Sequence, residues 1–385
     1  MTQPPPEPKY NYENVKFAPG ELVIHEKALT RVQRTLDKDG IAVEGEAKVA
    51  GGFLRVALKP RAKRLAPEED LVQTALQLLA GQTIGAKPIA EPNYIHGCPQ
   101  MRGGQYVVPE PRARRDVQFT PSPIGAGVRV AVLDTDFAAF PPLDHAFTSP
   151  PPAAPRLTLP ATPHELAPAA GHSTFVVGQI LRVAPGATVE TFGVLGPGGE
   201  CTDTDLADTL ATISDDTHLI NLSLGTYTID DQIPHVLEVA LDRFRERTVV
   251  VAAAGNDDAN RKWFPAASDE LTISAGAVVR VQERWARAAF SNYGDWVDFC
   301  APGIVSGPFL EWADQPQPYG GWAGWAGTSF TTPLVTGAVA ALMSVQDPKD
   351  PFAALEILRA TYDAAPGDFA NAKVITSPLL WDEAP

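Results

Sequence analysis

The tightest constraint on this chain is a set of four near-continuous apolar runs in its later two-thirds. They are VRVAVL (128–133), HLINLSL (218–224), TVVVAAA (248–254) and LTISAGAV (271–278). Strands with one wet face alternate apolar and polar residues, whereas unbroken apolar runs mark strands covered on both faces. That is how parallel sheets flanked by helices are built. Helical spacing fills the intervals around 173–181, 203–213 and 232–245, and again at 331–345 and 353–364. The predicted fold class is α/β, with a doubly wound, mostly parallel sheet whose working groups sit in loops at the carboxyl ends of the strands.

The front of the chain has a different grammar. Residues 1–20 are proline-rich and polar and are predicted as a flexible tail. ELVIH then reads as a strand, and Leu29, Val32 and Leu36 as one face of a helix stopped by Gly40. GGFLRVALK (51–59) is a second strand. Pro67 opens a second helix with Leu71, Val72, Ala75, Leu76 and Leu79 on one side, ended by Gly81; AKPIAEPNYI closes the unit as a last strand. This predicts a small α+β domain over 21–97. Residues 98–125, with the basic run PRARRD, read as a linker, 126–375 as the main domain and 376–385 as a C-terminal tail.

Charge and cysteine content exclude several classes of function. The net charge of −15 argues against a protein held to nucleic acid by phosphate contacts. Its distribution is uneven: residues 1–120 carry 17 basic and 14 acidic side chains, residues 121–385 carry 14 and 32. Cys98, Cys201 and Cys300 are widely spaced with no CxxC pair, which fits neither a metal cluster nor a disulfide framework, so reduced thiols are expected. No stretch reaches the ~18 apolar residues of a membrane helix. The first residues lack the apolar core of a secretory signal. A cytoplasmic location is expected on these grounds, with export by a route lacking an N-terminal signal as the alternative.

Three residues at strand and helix ends carry the chemistry. Asp134 leaves the first apolar run in AVLDTDF; alone it reads equally well as a helix cap. Gly171-His172-Ser173-Thr174 opens a helix, where a histidine alone is usually structural. Gly327-Thr328-Ser329 precedes FTTPLVTGAVAALM, and a serine there is usually an N-cap. Together they mean more. A serine hydroxyl is a weak nucleophile that needs a base, and a histidine base needs an acid to hold its tautomer. The chain order Asp, His, Ser is the order found in subtilisin. AVLDTDF, GHSTFVVGQI and GTSFTTPLVTGAVAAL resemble the three catalytic motifs of the subtilisin-like serine peptidases. VAPGA (183–187), INLSLG (220–225), VVVAAAGND (249–257), FPA (264–266) and FSNYGDWVDFCAPG (290–303) resemble further motifs of that family, in its order. The likeness covers about 126–375.

The resemblance implies a role for each matched residue. Ser329 would attack the peptide carbonyl, His172 would carry its proton, and Asp134 would orient His172. The Asn256 amide and the Ser329 backbone N–H would hold the oxyanion. Ser223, Leu224 and Gly225 would pair with an extended substrate, and Ala254 and Gly255, with Ala253, would wall a specificity pocket. No cofactor and no metal ion is implied, because the segment from His172 to Val183 lacks the insertion that holds calcium in many members. Asp136 departs from the glycine usual at its position. Phe175 and Leu334 replace common histidines, and Asn256 disfavours the acid-acting sedolisin branch.

The α+β front piece, ending in IAEPNYIHG, resembles the family's inhibitory propeptide, a ferredoxin-like domain whose last strand lies in the substrate cleft; an unrelated α+β module is the alternative. A propeptide would be cut within 95–116, near Gly97-Cys98-Pro99 or after Arg112-Ala113-Arg114-Arg115, where Asp257 could face a basic residue. PRARR also reads simply as a solvated linker. The expected protein is therefore a serine endopeptidase made as a self-inhibited zymogen, its partners being protein or peptide substrates and an intramolecular propeptide, with neither nucleic acid nor membrane. The alternative is a pseudoprotease that grips extended peptides without cutting them, suggested by Asp136.

Overall fold

The computed structural model of the 385-residue chain describes residues 11–61, 68–98, 100–101, 105–106, 108–113, 119–148, 158–159, 162–314, 318–346, 348–366, 368–369 and 372–375. Pro67, Pro99, Arg114, Arg115, the first half of the predicted N-terminal tail and the 376–385 tail lie outside them. The chain divides into two compact units. One is Met1–His96 with Thr202–Thr212 and Thr226–Leu241; the other is Gly97–Cys201 with Ile213–Gly225 and Asp242–Pro385.

The first unit contains β1 (Phe17–His25), α1 (Leu29–Lys38), β2 (Ile41–Val49), β3 (Phe53–Pro60), α2 (Glu68–Leu79) and β4 (Ala90–Gly97). The strands lie in the order β4-β1-β3-β2, and every pair is antiparallel. The apolar faces read from the sequence are the buried ones: Val32 and Leu36 of α1 and Leu71, Val72, Ala75, Leu76 and Leu79 of α2 close over Leu22, Ile24, Leu54, Val56 and Leu58. Two elements differ from the sequence expectation. β1 begins at Phe17, inside the stretch expected to be tail, because Phe17 pairs with Tyr94 of β4. β2 has no counterpart among the strands read from the residues. Its Glu44, Glu46 and Lys48 break the apolar signal, and it needs little of one because it pairs only with β3, at the sheet edge.

Two helices from later in the chain, Asp203–Thr212 and His235–Asp242, belong mostly to the same unit. The Ala50 N–H donates to Asp208 Oδ1 at 2.7 Å. At the second helix, the His235 N–H donates to Glu91 Oε2 at 2.9 Å. Burial pushes the Glu91 carboxyl up to about 8.

The second unit is built on β5 (Arg129–Asp134), β6 (Thr188–Gly193), β7 (Leu219–Leu222), β8 (Val249–Ala253), β9 (Ile273–Val281) and β10 (Phe299–Pro302). They run β6-β5-β7-β8-β9-β10 in space, with Lys373–Val374 at the far edge, and each successive pair is parallel. Arg284–Arg287 adds an antiparallel strand to β9. Helix α3 (His172–Val183) joins the core through Phe175, Val176, Val177 and Ile180.

A hairpin absent from the sequence expectation follows, β11 (Ile304–Trp312) and β12 (Tyr319–Ala326). The β12 sequence YGGWAGWA hides its strand character behind three glycines. Glu110–Pro111, within the expected linker, pairs with β12 as a third strand. Helix α4 (Thr328–Met343) is buried over nearly its whole length, and α5 (Pro351–Thr361) is capped by Asp350, which accepts the Phe352 and Ala353 N–H groups. Among the described residues no helix is long and apolar enough to cross a membrane. Cys98, Cys201 and Cys300 are all buried, and none is in a disulfide among the described residues.

Candidate active site

The parallel sheet places Asp134 and His172. β5 ends in Asp134, and His172 is the first residue of α3; both side chains are fully buried. His172 Nδ1 donates to the Asp134 carboxylate, 2.7 Å from Oδ1 and 2.9 Å from Oδ2. This leaves Nε2 as the ring nitrogen able to act as a base. The contact is held from both sides. Asp134 Oδ1 also accepts the Thr135 N–H, while Thr135 Oγ1 accepts the Ser173 N–H and ties the end of β5 to the first turn of α3. Gly171, at φ +77°, turns the chain into that helix, and the Phe309 ring lies where a side chain would stand. The Trp325 and Phe330 rings flank the imidazole at 5.4 and 5.3 Å.

The nucleophile candidate stands at the start of α4. Ser329 is the second residue of that helix, where backbone N–H groups have no intrahelical partner and the helix dipole favours negative charge. Ser329 Oγ donates to the Ser223 carbonyl at 3.2 Å, and Ser223 Oγ donates to the Ser329 carbonyl at 2.8 Å. Asn221 Nδ2 donates to Ser223 Oγ, and Thr336 Oγ1 lies 3.2 Å from Asn221 Oδ1. The buried Nε2 of His172 has no hydrogen-bond partner among the described residues. The Ser329 hydroxyl is thus bonded to Ser223 and not to the imidazole.

Asn256 follows β8 and is oriented by Thr328, whose N–H and Oγ–H both donate to Asn256 Oδ1, at 2.8 and 3.0 Å. Thr328 Oγ1 in turn accepts the Gly255 N–H. Leu224 and Ala254 are buried, and the Ala254 N–H is committed to the Ala275 carbonyl. Gly225 has no room for a side chain, because the Trp263 indole occupies that space. Asp136, the departure flagged by the sequence, is accommodated by a glycine: its Oδ1 lies against Gly193 at the end of β6, where a Cβ would collide with it.

The structure thus joins Asp134 with His172, and Ser329 with Ser223. Asn256 reaches the same helix start through Thr328. Thr328, Asn221 and Thr336 were not singled out from the sequence; small hydroxyl and amide residues in a buried helix carry no signal until their partners are known. Cys98, named from the sequence beside a candidate maturation cut, lies near Asp134. Its thiol is pushed well up by burial and then by the nearby Asp134 carboxylate, so it stays protonated and inert as a nucleophile.

Comparison with known proteins gives a consistent result. The profile of the Subtilase family matches residues 125–368. Subtilisin Savinase of Lederbergia lenta is 32% identical over 234 residues, covering 58% of this chain and 78% of the relative. An alkaline protease of Alkalihalobacillus alcalophilus is likewise 32% identical over 234 residues, but the match spans only 56% of that protein's length. Among solved structures, fervidolysin from Fervidobacterium pennivorans, a keratinolytic enzyme related to subtilisin, aligns over 97% of this chain and 64% of its own, with a TM-score of 0.61 at 18% identity. A protease from Pseudoalteromonas arctica aligns over 65% of this chain and 88% of its own, with a TM-score of 0.52 at 24% identity. The structural likenesses establish the shared fold, and the profile match establishes the kinship. This chain belongs to the subtilase family of serine endopeptidases.

Proposed function

We propose that this chain cuts extended polypeptides through an acyl-enzyme formed on Ser329, and that its N-terminal residues hold it as a self-inhibited precursor. The observation that carries the first part is the two-oxygen contact between buried Asp134 and His172 Nδ1. It supplies a base of defined tautomer whose imidazolium is stabilised once formed. Nε2 takes the proton of Ser329 Oγ as that oxygen attacks the peptide carbonyl, and the carbonyl oxygen gains negative charge. Asn256 Nδ2 and the Ser329 N–H donate to it. The C–N bond then breaks with proton transfer from His172 to the leaving amine. Water activated by the same imidazole hydrolyses the ester.

A fluorophosphonate probe tests this directly. Processed wild-type protein is expected to be labelled on Ser329, and His172→Ala to lose labelling while keeping its circular dichroism spectrum. Folded wild type that takes up no probe would instead favour a peptide-binding pseudoprotease.

Support for the second part comes from residues 97–98. Gly97 and Gly225 exchange both backbone hydrogen bonds, at 2.9 and 3.2 Å, as neighbours in an antiparallel ladder do. The Cys98 N–H donates to the Gly199 carbonyl at 2.9 Å. A segment bonded on both sides in this way imitates an added substrate strand, and the residue it pairs with is one matched to the family's substrate-binding edge. The charge split favours the same inhibition, since a weakly basic front piece is drawn to a strongly acidic body. Inhibition by separated residues 1–97 is accordingly expected to weaken between about 0.1 and 1 M salt, as the screening length falls from ~10 to ~3 Å. An inhibition constant indifferent to salt would remove the electrostatic contribution.

A further inference from the structure

We infer that residues 109–112, expected from the sequence to be linker, are a strap that positions the catalytic centre, and that Tyr319 is the positioning residue through which the strap acts. The inference rests on the proposal that Ser329 and His172 hydrolyse peptides.

Glu110 and Pro111 lie opposite Gly324 and Ala323 of β12 in antiparallel register. The Arg112 N–H donates to the Trp322 carbonyl at 3.2 Å, and the Arg112 side chain lies over Gly324, close to where a Cβ would stand. At the start of β12, the buried Tyr319 hydroxyl donates to the Pro109 carbonyl at 2.6 Å. Every residue from 109 to 112 thus meets β12, and all of these residues belong to the second unit.

The composition of β12 makes it dependent on this partner. Gly320, Gly321 and Gly324 weaken its strand preference. A two-stranded hairpin is marginal at best in water, whereas a third strand lets it hold. β11 covers one edge of β12, and Glu110–Pro111 covers the other. β12 is also the strand that leads to the site, since it runs through Gly327 into Thr328 and Ser329 of α4. Its Trp325 ring stands edge-on to the His172 imidazole, with centroids 5.4 Å apart.

Tyr319 connects the strap to the same place from the other end of the strand. Its ring meets Phe309 at 4.7 Å, and Phe309 lies 5.7 Å from Trp325. Phe309 also fills the space beside Gly171, the residue that turns the chain into His172. A close-packed interior passes a displacement on to its neighbours. A misplacement of about 1 Å at a reacting group can cost as much as ~10² in rate. Releasing the strap removes no reacting group and lets β12 shift. The substrate-pairing candidates Ser223, Leu224 and Gly225 follow β7, not β12. The loss should therefore fall on kcat and spare KM.

The test is steady-state digestion of fluorescein-labelled casein by processed wild type, Tyr319→Phe, Arg112→Pro and the double variant. Turnover is expressed per Ser329 that a fluorophosphonate labels at completion, so unfolded molecules drop out of the count. Tyr319→Phe deletes only the hydroxyl that reaches Pro109, and Arg112→Pro deletes the ladder donor. Each is expected to lower kcat per labelled site roughly tenfold, with KM within about twofold of wild type. The double variant should lose little more than the worse single, since both changes release one strap. N-terminal mass spectrometry should place the start of the mature wild type at or before Pro109, so that the strap is kept. A variant that retains the circular dichroism spectrum of wild type but fails to trim itself shows the same loss.

Three results overturn the inference while leaving peptide hydrolysis standing. One is kcat per site within about twofold of wild type in both single variants. Another is losses that multiply to about a hundredfold in the double variant, since the two bonds would then act apart. The third is a fully active mature chain that begins beyond Arg112. If Arg112→Pro does not fold, Tyr319→Phe decides the matter. Wild type that cuts no casein removes the hydrolysis proposal, and this inference falls with it.

Discussion

A Ser329→Ala chain is expected to be recovered at full length, whereas the wild type is expected to be trimmed between residues 95 and 116. The substitution removes one oxygen and little else. Ser329 is buried, and among the described residues its hydroxyl makes a single hydrogen bond, to the Ser223 carbonyl, so the loss of stability should be about 1 kcal/mol. The reciprocal bond from Ser223 Oγ uses the Ser329 backbone carbonyl and survives the change. Folding is therefore retained while the nucleophile is lost, and with it all but a small residue of the rate. Mass spectrometry of the N-terminus of both proteins provides the measurement. It also locates the maturation cut and gives a first view of cleavage preference. A Ser329→Ala protein still trimmed during isolated purification would exclude self-processing.

Asn256→Ala is expected to lower turnover by roughly 10²–10³, with KM little changed. That magnitude belongs to the corresponding donor in subtilisin and is carried over to this relative. The structure adds a reason to choose the controls carefully. Asn256 Oδ1 accepts two bonds from Thr328, so alanine both removes a donor from the oxyanion and frees the start of α4. Asn256→Asp keeps the acceptor for Thr328 while turning the other oxygen, now charged, toward the developing oxyanion. If the role is electrostatic, the aspartate variant should remain folded and lose at least as much turnover as the alanine variant. Equal stability with unimpaired kcat in either variant would remove Asn256 from the mechanism.

The relation between sequence and structure differs from element to element. The parallel strands were legible because burial on both faces demands apolar residues at every position, and that demand leaves runs such as those at 128–133 and 248–254. The two front helices were legible because their apolar faces repeat at helical spacing. β2 was not, since an edge strand tolerates Glu44, Glu46 and Lys48. β12 was hidden for another reason: its glycines lower strand propensity, yet β11 and the Glu110–Pro111 strand pair with it from either side. Asp136 looked disruptive only because Gly193, more than 50 residues later, could not be known to lie beneath it.

Residue order alone was enough to determine the fold class and to mark Asp134, His172, Ser329 and Asn256 as candidates, because each sits in a local motif whose composition reflects its place at a strand or helix end. Their supporting partners were settled only when the chain closed in three dimensions. Thr328 orients Asn256, Ser223 holds Ser329, Gly225 pairs with Gly97, and Asp203 receives His96. Each of these contacts joins residues separated by about 70 to 130 positions. Hydrogen bonds of that kind leave no periodic trace, since a lone polar residue in an apolar run looks the same whether it is paired or stranded.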